Sequence, residues 1–220
     1  MKMKAYLSNS SHPDLISYIK SSGYDIHLVS ESMNVSVPIA SHADLFMCQF
    51  MEKHRSYILH YDKNKDNIMP GYPYEIPFNA LSTGKFFIHN LKYTNQRLLG
   101  FAKSKNLKLI DVNQGYTKCS TVLVDENSII TDDNGIYQAS ISAGLDVLKV
   151  EKGFVNLDGY KYGFIGGASG NNGKEIIFNG NLENHPSYAA ILAFIINRGM
   201  EVKYFTGYPL TDIGSIIFEY

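Results

Sequence analysis

Short apolar runs alternate with polar turns along this chain, and the spacing of the apolar positions switches between strand and helix periods. Lys4 to Ser8 reads as a strand. Ser11-His12-Pro13-Asp14 opens a helix, with Ser11 at the N-cap and Pro13 in the first turn, where its missing N–H costs little. Leu15, Ile16, Tyr18 and Ile19 share one helical face, and Gly23 ends it. Tyr24 to Val29 is a second strand. After a loop through Pro38, His42 precedes a strand over Ala43 to Phe50 that contains Asp44. The turn Met51 to Arg55 leads back into Ser56 to Tyr61 as a hairpin.

The other end of the chain repeats the order. Glu175 to Asn179 is a strand, and Asn184-His185-Pro186 opens a helix through Ile196 about one turn longer than the first. Gly199 stops it, Glu201 to Phe205 is a strand, and Ile213 to Phe218 is the last. Two further copies lie between. One comprises Lys85 to His89, a helix over Thr94 to Lys105, Leu107 to Val112 and a closing Thr121 to Val124. The next runs from Ser128 to Thr131 through a helix capped by Asp133 and stopped by Gly144, to Val147 to Val150 and Tyr162 to Ile165. Ser56 to Leu81 is a reduced copy, with turn-rich Asp62 to Pro77 in the helix position and Phe78 to Leu81 as its closing strand. Five units of this size predict a closed ring, in which the last strand pairs with the first and no long sheet edge is exposed. In that ring the hairpin Thr121 to Thr131 joins two units. A doubly wound α/β sheet is the alternative, and the shortness of the hairpins between units argues against it. The reading is one α/β domain over residues 1–220.

Composition adds exclusions. A hydrophobic content of 45% and a formal charge of -1 describe an ordinary globular protein, without the basic surplus that direct nucleic-acid binding needs. Two cysteines, Cys48 and Cys119, are too few for a disulfide framework or a cysteine-based zinc site, and no metal or cofactor is expected. No apolar run is long enough for a signal peptide or a membrane span, so the expected compartment is the cytoplasm. Nothing in the sequence fixes an oligomeric state.

The fivefold strand-strand-helix-strand repeat resembles the pentein, or guanidine-modifying-enzyme, fold, an α/β propeller. That group includes arginine deiminases, amidinotransferases, dimethylarginine hydrolases and the ribosome anti-association initiation factor. Gly115 to Thr121, Ile129 to Asp132, Gly163 to Gly167 and Asp212 to Ile217 look like an uncharacterised bacterial family grouped with that fold. The resemblance implies a polar funnel at the ring axis, gathering His42, Asp44, Asn79, Lys118, Cys119, Ser120, Asp212 and Ser215. It also implies a chemistry in which a Cys thiolate attacks a guanidinium carbon, a His protonates the departing amine and carboxylates hold the cation. Here Cys119 would be the nucleophile, with His42 and Asp44 on one strand face as acid and cation-binding carboxylate. Lys118, beside the thiol, would lower its pKa. Asn79, Lys118, Ser120, Asp212 and Ser215 would line the ligand's channel.

The sequence departs from that family pattern where the chemistry should be. The family's catalytic Cys belongs to the last unit's closing strand, which reads Ser215-Ile216-Ile217-Phe218 here, and no Cys follows Cys119. A non-catalytic binding protein of the same fold, like the initiation factor, is therefore carried as the second reading. Other residues have plainer readings. A Cys at a strand start is more often a small core residue than a nucleophile, and Cys48 belongs in the core. His12 and His185 serve helix starts, and His27, His54, His60 and His89 lack acidic partners at ligand spacing. Gly166 to Gly170 precedes no helix and is not a phosphate loop. The 16 tyrosines are expected to pack outer faces.

Overall fold

A computed structural model of the chain describes residues 3–33, 35–52 and 55–220. His54 and the tip of the Met51 to Arg55 turn lie outside the described residues. The described strands form five small sheets. Four share one plan, in which a strand runs antiparallel to the next, and a helix then crosses to a parallel third. The crossover is a dozen or more residues long, as a parallel connection requires. The first joins β1 (Lys4–Ser8), α1 (Pro13–Ser21) and β2 (Asp25–Val29). The second has β5 (Leu81–Ser82), β6 (Phe86–His89), α2 (Gln96–Ser104) and β7 (Lys108–Asp111). The third has β8 (Thr121–Leu123), β9 (Ser128–Thr131), α3 (Asn134–Ala143) and β10 (Asp146–Lys149). The fourth has β11 (Ser169–Asn171), β12 (Glu175–Phe178), α4 (Tyr188–Ile196) and β13 (Glu201–Lys203). The strand that completes the first is β14 (Ile217–Glu219), antiparallel to β1 with Ala5 opposite Phe218, so the chain's two ends meet in one sheet. The fifth sheet is the hairpin β3 (Met47–Glu52) and β4 (Arg55–His60), which has no α-helix and is followed by loop over residues 61–80.

Neighbouring sheets are tied through their first strands. Gln49 Nε2 donates to Phe218 O at 2.8 Å, Cys48 Sγ donates to Ala80 O at 3.4 Å, and Thr83 Oγ1 donates to Glu126 O at 2.9 Å. Asn171 Nδ2 donates to Leu123 O at 3.1 Å, and Ile216 N donates to Ser169 O at 2.9 Å. These bonds give main-chain groups at and beside the short strands partners that the strands themselves cannot supply. Beneath the helices lie the cores. Ile191 and Ile195 of α4 pack with Val122, Ile130, Ile176 and Phe178, all nearly fully buried. No helix among the described residues is long and apolar enough to cross a membrane.

Several expectations are corrected. The N-cap of α1 is His12, whose Nδ1 accepts from Asp14 N at 3.2 Å, and not Ser11. His185 acts likewise for Ser187 N at 3.1 Å, so both His-Pro pairs do start helices. α4 has nine residues, the same as α1, because His185 is extended after the 3₁₀ turn Leu182–Asn184 and the helix begins only at Tyr188. Ala43 to Phe50 is not one strand. Ala43–Leu45 is a 3₁₀ turn with Asp44 N bonded to Gly214 O, and β3 begins at Met47, so His42 and Asp44 share no strand face. Phe78 to Ala80 is a turn before β5, with Asn79 N donating to Ile76 O. Tyr162 to Ile165 is irregular, and the strand there is Ser169–Asn171, which reads as a turn because it is Ser, Gly and Asn. Gly170 is needed because a Cβ would stand 2.4 Å from Ile216 O of the neighbouring chain segment. Ile213 to Phe218 is extended only from Ile217, since Gly214 and Ser215 both have positive φ. Finally, β8 and β9 lie in one sheet, so the hairpin Thr121 to Thr131 is internal to a unit and does not join two.

Candidate functional site

Four loop segments leading into first strands converge at one place. The turn before β3 brings His42 and Asp44, the turn before β5 brings Asn79, the turn before β8 brings Lys118, Cys119 and Ser120, and the segment before β14 brings Asp212 and Ser215. All eight residues are buried. Asn79 organises the Cys119 turn: its Oδ1 accepts from Lys118 N at 2.9 Å and Cys119 N at 3.1 Å, and its Nδ2 donates to Cys119 Sγ at 3.4 Å. Cys119 Sγ donates to Asp44 Oδ2 at 3.0 Å. The same carboxylate oxygen accepts from Ser215 Oγ at 2.6 Å, and Lys118 Nζ donates to Ser215 Oγ at 3.0 Å. Asp212 is clamped by Phe164 N and Gly214 N, each at 2.9 Å, and His42 Nδ1 lies 3.9 Å from its Oδ1. Ser120 Oγ and Asp44 Oδ1 are buried without a hydrogen-bond partner among the described residues.

Burial dominates the charge states. It pushes the Cys119 thiol well up, and Asp44 and Asp212 push it further, against the amide of Asn79. The expectation that Lys118 would lower this pKa is overturned: the thiol is dry and faces two carboxyl groups, while the Lys118 amine is turned to Ser215 and Gly166 O. Burial raises Asp44, opposed by His42 and Cys119, and raises Asp212 to about 6. It lowers Lys118 and His42, both against the pull of Asp44. Burial therefore favours a neutral thiol and an uncharged imidazole.

A cavity of about 340 Å³ opens over this cluster. His42, Cys119 and Asp212 form its polar floor, Tyr116, Tyr160, Tyr162, Phe164, Ile39 and Leu157 its walls, and the exposed Lys161 completes the lining. Asp44, Asn79, Lys118, Ser120 and Ser215 are not among its lining residues and stand behind the floor as support. The Tyr116 hydroxyl is fixed by Glu75, which also accepts from Ser36 N and Gly71 N. Lys118 instead borders a narrow space with Met47, Gln49, Leu123 and Ile217. The aromatic walls were missed by sequence reasoning. Three of them, Tyr160, Tyr162 and Phe164, lie in the Gly-punctuated run Asp158 to Gly163 and just beyond it, which was the available signal. His89 is a core residue bonded to Thr94 Oγ1 and Gly115 O, as its spacing implied.

Residues 6–217 match a protein family described as Family of unknown function (DUF6873). The chain belongs to that family. No curated protein matches the sequence. Among solved structures, agmatine deiminase from C. jejuni is similar at a TM-score of 0.52 and 9% identity, over 93% of this chain and 86% of that one. A cysteine-to-serine variant of the C. jejuni enzyme with substrate bound gives a TM-score of 0.49 at 9% identity, over 91% and 76%. At that identity the likeness is one of fold alone, a mixed α/β architecture similar to that of agmatine deiminase.

Among the described residues, His42, Asp44 and Cys119 also offer one ligand atom each within 4.8 Å of one another.

Proposed function

We propose that the cavity takes up a planar guanidinium or amidinium cation and that Cys119 attacks its central carbon. On this reading the five sheets are the units of a fivefold α/β propeller, the hairpin β3–β4 being the unit without a helix, and the cavity stands at one mouth of its axis. The observation that carries the reading is the Cys119 thiol bonded to the Asp44 carboxylate at 3.0 Å, on a floor shared with His42 and Asp212. A delocalised cation suits such a site twice over. Its charge is matched by two buried carboxyl groups, and its flat face by the rings of Tyr116, Tyr160, Tyr162 and Phe164.

The ligand's charge supplies what Lys118 does not. A cation held over the floor against Asp212, with Asp44 behind it, offsets the carboxyl groups that hold the thiol neutral, so the thiol proton can pass to the uncharged His42. The Sγ–C bond then forms, His42 returns the proton to the departing amine nitrogen, and the C–N bond breaks. A water attacking the thiouronium carbon, with His42 as base, releases Cys119. An acceptor amine in place of water makes the same site a transferase.

The test compares two isosteres as protectants of Cys119 against alkylation by iodoacetamide at fixed pH. An alkylguanidine should slow labelling at millimolar concentration, and the corresponding neutral alkylurea should not. Equal protection by both, or by neither, would refute cation recognition. A non-catalytic binding role for the same cavity is supported by the thiol's raised pKa. It differs in one outcome: the guanidine would protect Cys119 but leave no covalent thiouronium adduct in mass spectra of the quenched protein.

A further inference from the structure

We propose that Cys119, Asp44 and His42 form a binding site for a zinc-type divalent ion, whose fourth coordination position opens into the cavity. The inference is independent of amidine turnover, because it needs only the three ligand groups and their surroundings.

The donor set is one thiol sulfur, one carboxylate oxygen and one imidazole nitrogen, the three atom types that zinc takes in proteins. Zinc bonds of about 2.0 to 2.3 Å hold neighbouring ligand atoms about 3 to 4 Å apart in a tetrahedron. Here the three atoms lie within 4.8 Å of one another, with Sγ and Oδ2 at 3.0 Å, so small side-chain rotations bring them onto one ion. A second observation points the same way. Asp44 is fully buried, and among the described residues its Oδ1 has no hydrogen-bond partner although it belongs to the cluster. An orphaned carboxylate oxygen in a dry site is costly unless something positive reaches it.

The surroundings have the form of an outer coordination shell. Asp212 Oδ1 stands 3.9 Å from His42 Nδ1, and the other ring nitrogen, Nε2, is the one assigned to the ion. Ser215 Oγ donates to Asp44 Oδ2 at 2.6 Å, and Asn79 Nδ2 donates to Cys119 Sγ at 3.4 Å. Charge also balances. With the Cys119 proton released to solvent as the sulfur–metal bond forms, the thiolate, Asp44 and Asp212 carry three negative charges. Lys118 and a divalent ion together offset them. His42 and Cys119 line the cavity, so only three positions around the ion are closed by protein, and the fourth is free for water or a ligand.

Cobalt(II) serves as the probe in a titration of the whole chain stripped with chelator. One cobalt per chain should bind, with a near-ultraviolet thiolate-to-cobalt band and visible bands of four-coordinate intensity, and zinc should displace it. Cys119→Ser should abolish the near-ultraviolet band, and Cys48→Ser should leave it unchanged. Asp44→Asn and His42→Ala should each weaken binding by about 10-fold or more. Because buried variants can misfold, the wild-type chain supplies a second measurement, in which zinc but not magnesium should protect Cys119 from alkylation in peptide maps. Absence of the thiolate band in the wild-type chain, a band that survives Cys119→Ser, or Cys119 labelling indifferent to zinc would each overturn the site.

Discussion

Replacing Asp212 by Asn tests the electrostatics of the cavity floor through stability alone. The Asp212 carboxyl is buried and its pKa is raised to about 6, against 3.8 for the free side chain. The folded chain therefore keeps this proton up to about pH 6, whereas the unfolded chain loses it near 3.8. Between those values the folded state binds more protons than the unfolded one, so stability falls as pH rises. A gap of about 2 units amounts to about 3 kcal/mol of stability lost from the wild type between about pH 4 and 7. Asparagine has the same shape and no charge to bury. It keeps one acceptor for the N–H groups of Phe164 and Gly214 and turns an amide toward the other, a fixed cost that does not depend on pH. Urea denaturation of both chains at steps from pH 4 to 8 gives the difference directly. The wild type should lead at pH 4 and lose about 3 kcal/mol of that lead by pH 7. A difference constant with pH, or one that grows in favour of the wild type, would refute the raised carboxyl.

Two further substitutions probe the support behind the floor. Ser215 has a φ of 69° and bonds Asp44 and Lys118, so both Ser215→Ala and Ser215→Gly lose the hydroxyl, but glycine relieves the backbone. The glycine variant should be the more stable by about 1 kcal/mol in thermal or urea unfolding, and the reverse order would show that the conformation is not strained. Asn79→Ala leaves the buried Cys119 N–H without its acceptor and should cost about 1–3 kcal/mol, and a variant as stable as the wild type would count against Asn79 as organiser of that turn.

Much of the architecture was legible because it rests on local signals repeated several times. Asp133 does cap α3 and Gly144 ends it with a φ of 100°, and the β8–β9 hairpin falls where its polar turn indicated. What misled was backbone whose conformation is set by distant partners. The segment Ala43 to Leu45 carries a strand-like pattern but is turned inward by the bond from Asp44 N to Gly214 O, about 170 residues along the chain. Ser169–Asn171 has turn composition and becomes a strand because β12 and the Ile216 backbone receive it. At the candidate site, pattern could gather eight residues but not say which face the cavity. Only His42, Cys119 and Asp212 do, and the aromatic walls come from an irregular loop that carries no periodicity. The sign of the thiol's pKa shift was misread for a related reason. Adjacency of Lys118 and Cys119 in sequence says nothing of burial, and burial decides it.

The central claim is that the floor of this cavity recognises a planar cation beside Cys119. Its most direct test is the ratio of Cys119 labelling rates for a haloacetamidine, which carries an amidinium, and the matching neutral haloacetamide at pH 7. The two reagents share size and leaving group and differ in charge. The account predicts faster labelling by the amidinium reagent, by about 10-fold or more over the ratio for a free thiol for one buried ionic contact, and a ratio that drops toward the free-thiol value in Asp212→Asn. A wild-type ratio at or below that of a free thiol in solution would contradict it.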